Sequence, residues 1–220
     1  METLQKCLGI LGNIETKEFY NDPALELVPE EIERLKIKTK QENLKNYKYK
    51  KLLAKEIASY AFDWELSEIA IKAAEYVVDD HWEVKNSSEM ILAQVEAHYI
   101  IALSYFDLLQ KNNYEVAFKD PIKLPSDEQN EEPQEDPSEE EKEKIFVQKQ
   151  KILDNFVDGL KKAESIQQAW LIFNGAVYIW NNYLPVFRNP ANDSKLHPGV
   201  FKTLQEFFEA MKNYTKELEK

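Results

Sequence analysis

The chain has 220 residues, 43% of them hydrophobic and 12% aromatic, and a net charge of −12. That is enough apolar material for the core of one domain, or one and a half. The acidity argues against nucleic acid as a partner, because phosphates need lysine and arginine, and against docking on an anionic membrane. A single cysteine, Cys7, rules out an internal disulfide and a multi-cysteine zinc site.

Helix signals dominate, and the fold class read from them is all-α. Only five glycines occur, while Lys and Glu, both good helix formers, are abundant. The one Asn-Gly pair, Asn174-Gly175, lies inside an apolar run with helical spacing rather than between strand-like segments. Residues 2–11 predict a first helix with Leu4, Leu8 and Leu11 on one face, and Asn21-Asp22-Pro23 predicts a turn. Residues 1–9 lack the basic region and apolar block of a secretory leader, and Glu2 is incompatible with myristoylation, so a soluble intracellular chain is expected.

Pro29-Glu30-Glu31 predicts a helix start, proline at the first position and acids at the positive end of the dipole. This helix runs towards Phe62, with a break allowed near Asn43 to Asn46. Asp63 is the expected cap of a helix over 64–80, where Leu66, Ile69, Ala70, Ala73, Ala74 and Val77 make a buried stripe. Asn86-Ser87-Ser88-Glu89 predicts a further cap and a helix over 90–111. That helix carries Leu92, Val95, Ala97, Tyr99, Ile100, Leu103, Phe106 and Leu109, and is apolar nearly all round, so other helices should flank it.

Residues 126–143 hold ten acids and one base, Lys142, with Pro133 and Pro137 and no large apolar side chain. Their net charge of −9 accounts for most of the −12 and leaves −3 for the rest. Such a segment cannot bury enough surface to offset its ordering entropy, and a disordered acidic loop is expected. It reads either as a solvated insertion or as a contact and regulatory element. In the second reading Ser126-Asp127-Glu128 and Ser138-Glu139-Glu140-Glu141 suit acid-directed kinases. Acidic tubulin tails would repel this loop. From Ser138 a helix is predicted through Phe146, Ile152, Leu153, Phe156, Val157 and Leu160. Another is predicted over 166–184, ended or kinked by Pro185. The last starts near Pro198 and carries Val200, Leu204, Phe207, Phe208 and Met211 inward. The total is about seven helices, in three parts: hairpins over 1–119, an acidic linker over 120–144 and C-terminal helices over 145–220.

Ala54, Ile57, Ala58, Ala61, Ala70, Ala74 and Val77 fall where a tetratricopeptide-like repeat places small or apolar residues. An array of such helical hairpins and an irregular bundle both fit, because alanines at helical spacing serve any close packing of helices.

No chemistry-bearing constellation emerges. His81, His98 and His197 show no ligand spacing, and His98 reads as a packed histidine. Gly9 and Gly12 form only a weak Gly-x-x-Gly pair, and there is no nucleophile elbow or phosphate loop. Asp79-Asp80 sits at a predicted helix C-terminus, where it opposes the dipole and calls for a basic partner or solvent. No enzyme activity, metal or cofactor is expected.

The most informative stretch is residues 169–187. Trp170, Phe173, Asn174, Tyr178, Trp180 and Tyr183 lie on a helix that is apolar all round. Gly175-Ala176 permits close approach of a neighbour. Asn174 and Asn181 share a face, from which their amides can bond carbonyls of a neighbouring helix. The physical reading is a central core helix, in which Trp180→Ala costs ~3–5 kcal/mol. The pattern of an aromatic, Asn-Gly-Ala-Val, an aromatic-Trp step, a Pro-apolar-Phe exit and a following His197-Pro198 helix also resembles a family. It is similar to the large cilia- and flagella-associated proteins of the axonemal central pair, helical-repeat scaffolds of a projection on the C1 microtubule. The likeness is best over residues 166–211 and carries no catalytic residue. It implies a scaffold subunit in a hetero-oligomeric axonemal assembly, with packing carried by Trp170, Phe173, Asn174, Tyr178, Trp180 and Tyr183. The alternative is a generic tetratricopeptide-like adaptor that binds a peptide in its groove.

Overall fold

The computed structural model describes residues 29–79, 87–123, 137–188 and 196–218. The helix expected over 2–11, the turn at 21–23, Asp80 and acidic residues 124–136 lie outside them. The described residues form six helices: α1 Pro29–Asp63, α2 Ser67–Val78, α3 Ser88–Lys111, α4 Glu139–Ser165, α5 Ala169–Phe187 and α6 Pro198–Leu218. Among the described residues there is no strand, only isolated bridges between Tyr114 and Lys123 and between Phe118 and Leu196. The all-α expectation holds.

α3 is the central helix. It touches α1, α2, α4 and α5, most extensively α4. Its buried residues run from Met90 through Val95, Tyr99, Ile101 and Phe106 to Leu109, so it is covered nearly all round as its sequence predicted. Ser87 caps it, accepting the Met90 N–H at 3.4 Å, and Ser138 caps α4, accepting the Glu141 N–H at 3.3 Å. The Ser138 hydroxyl satisfies an amide of the first turn, and the Met90 amide is shared between the Ser87 hydroxyl and the Ser87 carbonyl, 2.8 Å away.

The small residues set the α1–α2 contact. Ala54, Ala58 and Ala61 on α1 and Ala70, Ala73, Ala74 and Val77 on α2 are fully buried. Two ion pairs one heptad apart register α1 on α3, Lys48 with Glu89 at 2.5 Å and Lys55 with Glu96 at 2.7 Å. Asp79, expected to face a base or solvent, is exposed, and its backbone carbonyl accepts from Lys51 and from the Tyr47 hydroxyl.

Several boundaries differ from expectation. α1 continues unbroken through Asn43 to Asn46. Asparagine costs a helix only a few tenths of a kcal/mol, and no glycine or proline intervenes. Asp63 ends α1 instead of capping α2, whose N-cap position is Leu66 with no side-chain bond. α5 runs through Pro185 to Phe187. A proline so near the end removes one donor from the last turn only. α6 places Phe208 outward, 55% exposed, while Val200, Leu204 and Phe207 are buried. Phe207 and Phe208 are adjacent and cannot share a face.

Three helices end on a non-glycine residue in the left-handed region. Glu65, Asn113 and Gln167 have φ of 57°, 60° and 51°. Behind each, the next amide reaches back five residues: Leu66 to Ala61 at 2.8 Å, Tyr114 to Leu109 at 2.8 Å and Gln168 to Ala163 at 3.3 Å. These are Schellman closures without their usual glycine, which is why no glycine marked them in the sequence. Gln167→Gly is expected to raise stability by ~0.5–1 kcal/mol, since glycine pays no penalty in this conformation. An unchanged or lower thermal midpoint would count against the account.

Candidate functional site

α5 is not a central core helix. It packs on α4 and α6 and only lightly on α3, which leaves one face uncovered. Trp170, Phe173, Val177 and Trp180 are 46%, 60%, 36% and 46% exposed. Their spacing of three, four and three residues makes one stripe along the helix. The opposite face, with Leu171, Ile172, Ile179 and Tyr183, is buried. The apolar-all-round composition that read as burial is therefore half core and half exposed ridge.

The six residues singled out in the sequence divide accordingly. Trp170 and Phe173 are on the ridge, with the Trp170 indole N–H bonded to Gln168 Oε1 at 3.1 Å. Trp180 is on it too, its ring stacked on Phe187 at 5.9 Å. Asn174 and Tyr178 are half-buried at its flank. Tyr183 is buried, edge-on to Phe106 at 5.8 Å. Among the described residues neither Asn174 nor Asn181 makes the expected bond to a neighbouring helix: Asn181 is exposed, and Asn174 borders an open concavity. Trp180→Ala is therefore not expected to cost what a buried tryptophan costs.

Two concavities flank the ridge. One, of about 450 Å³, lies between α5 and α6 and is lined by Trp170, Ile172, Phe173, Met211, Tyr214 and Thr215 among others, with no charged residue. The other, of about 260 Å³, lies between α1, α3 and α5, where Lys55, Asp63 and Glu96 meet Tyr99, Asn174 and Tyr178. Trp170 and Asn174 border both. In the second, burial pulls the Lys55 ammonium down, but the Glu96 carboxylate bonded to it leaves its pKa raised overall. Met211 and Tyr214 lie more than thirty residues from the ridge in sequence, and nothing local joined them to it.

α1 has a second apolar stripe. Tyr49, Leu53, Tyr60 and Trp64 are all more than half exposed and follow a helical spacing of four, seven and four residues. All three tryptophans among the described residues, Trp64, Trp170 and Trp180, thus reach solvent. Large aromatic groups exposed in stripes are the composition of protein interfaces rather than of ordinary surface.

Under the ridge, Gly175 makes room as predicted, for side chains rather than for a helix backbone. A Cβ there would lie 2.6 Å from the Tyr99 hydroxyl and 2.7 Å from Phe207 Cζ. His98 is packed as expected, its Nδ1 2.9 Å from Asn155 Oδ1. No group of three or more His, Cys, Asp or Glu among the described residues could hold a metal ion. None of their helices is long and apolar enough to cross a membrane. No protein-family model matches this chain, and no curated protein or solved structure matches it.

Proposed function

We propose that this protein is a non-enzymatic scaffold subunit that acts by protein–protein assembly, with the α5 ridge as its principal contact. The exposure of Trp170, Phe173, Val177 and Trp180 in one stripe carries this reading. Burying such a stripe against a partner removes apolar surface from water at ~25 cal/mol per Å². The likeness of residues 166–211 to the central-pair proteins of the axoneme makes the ciliary central apparatus the assembly in question. A tetratricopeptide-like stacking of the hairpins belongs to the same proposal.

The test is incorporation of the tagged full chain into axonemes, with its neighbours identified. Phe173→Ser with Trp180→Ser is expected to fold, because both side chains lie on the exposed ridge rather than in the core, yet to be lost from the central apparatus. A wild-type chain absent from axonemes overturns the ciliary reading. A folded double variant that still incorporates overturns the ridge. The second reading, a peptide-binding adaptor unrelated to cilia, is favoured by the uncharged 450 Å³ groove beside the ridge. It predicts binding of an apolar peptide that Tyr214→Lys abolishes.

A further inference from the structure

We propose that His197 is a proton-sensitive latch, which fastens the start of α6 to the connection after α3 and opens on mild acidification. His197 precedes Pro198, the first residue of α6, and its ring Nδ1 accepts the Gly199 N–H at 3.1 Å. Its carbonyl accepts the Val200 N–H at 3.0 Å. A ring nitrogen that accepts a backbone N–H carries no proton, so this histidine is neutral, with its proton on Nε2. It occupies the capping position that serine or aspartate usually fills.

The same residue holds the chain together on its other side. Its backbone N–H donates to the Ala117 carbonyl at 2.8 Å, next to the Leu196–Phe118 bridge. From α4, buried Lys149 donates to the Phe118 and Asp120 carbonyls at 3.0 and 2.9 Å. Three separate segments, α4, the connection and the start of α6, meet at this one point.

Protonation converts Nδ1 from acceptor to donor, and the cap then presents two donors to each other. The surrounding charges also oppose it. Burial, then Lys149 from α4, then Lys119 from the connection hold the His197 pKa below its ordinary 6.5. The positive end of the α6 dipole adds to them. Asp120 and Glu115 face Lys149 and partly offset its charge, although burial still draws that amine down to about 8. The unfolded imidazole takes its proton at the ordinary value and the folded one does not. The latch is thus fully effective above that ordinary value and is lost progressively below it, as pH falls through the depressed folded value. α6 supplies Met211, Tyr214 and Thr215 to the groove beside the ridge, so opening the latch loosens one wall of that groove.

The inference rests on the fold and not on the assembly reading, and its test needs no partner. Amide hydrogen exchange at Gly199 and Val200 is followed in the full chain at about pH 7.5 and about pH 5, corrected for intrinsic rates. Wild type is expected to lose protection by ~10-fold or more on acidification. His197→Asn keeps a capping oxygen that cannot take a proton, and should lose less than ~2-fold. Equal losses in the two proteins overturn the latch. Should the variant fail to fold, titration of the His197 imidazole by NMR in the wild-type protein decides. A midpoint below 6.5 supports the latch, and one at or above it overturns it.

Discussion

Tyr99→Ala is expected to lower the free energy of unfolding by ~3–5 kcal/mol, the range for deleting a large buried aromatic. Tyr99 joins four helices. It projects from α3 and packs on Phe156 of α4 at 5.9 Å, Tyr178 of α5 at 5.9 Å and Phe207 of α6 at 6.5 Å. Its hydroxyl donates to the Leu171 carbonyl of α5 at 3.1 Å. Burial, with Tyr178 beside it, holds that hydroxyl far above the ordinary tyrosine range, so it remains a donor. Two glycines make the space: a Cβ at Gly159 would lie 2.6 Å from Tyr99 Cε1, and one at Gly175 2.6 Å from its hydroxyl oxygen. Tyr99→Phe keeps the ring and loses one hydrogen bond, so its cost should be only ~0.5–1.5 kcal/mol. Gly175→Ala gains ~1 kcal/mol of helix propensity, but it meets two rings that are themselves held. Overpacking at ~1–3 kcal/mol should prevail. Urea unfolding of the three variants measures this order. A stabilised Gly175→Ala would show that the rings can retreat, and would remove the argument for a closely fitted centre.

The sequence carried the helices and much of the core because both are local or periodic. Ser87 and Ser138 announce their caps chemically. The alanines of α1 and α2 announce a close helix contact by spacing alone, and every one of those named is buried. The Schellman closures were not legible, since Glu65, Asn113 and Gln167 stand where glycine is the usual mark. The site was half legible. Aromatic residues on α5 stood out, but hydrophobicity does not say whether a side chain is covered by its own chain or by another. The face of α5 with Trp170 and Phe173 and the face with Leu171 and Ile172 are equally apolar. Only the placement of α3, α4 and α6 on one side of the helix decides between them. The meeting of His197 with the connection after α3, and of that connection with Lys149, had no local signature, because the three segments are distant in sequence.

The division of α5 into two faces has a direct energetic consequence. Tyr183→Ala is expected to cost ~3–5 kcal/mol, and Trp180→Ala about 1 kcal/mol or less, although tryptophan is the larger residue. Tyr183 is 1% exposed and meets Phe106 of α3 edge-on. Removing it opens a cavity where α5 meets the central helix. Trp180 is 46% exposed and contributes mainly its stacking on Phe187. That ring in turn touches Phe201 of α6 at 5.6 Å, so its loss trims one end of an aromatic string and leaves no void. Denaturant midpoints at constant m-value give both numbers. Equal costs would mean that Trp180 is a core residue, and the ridge would lose one end. If instead the costs separate as expected, the tryptophan is a large apolar group held in water by a fold that does not need it. Its contribution then has to be sought in what the ridge binds, and the residue that matters least for folding becomes the one whose loss should matter most for assembly.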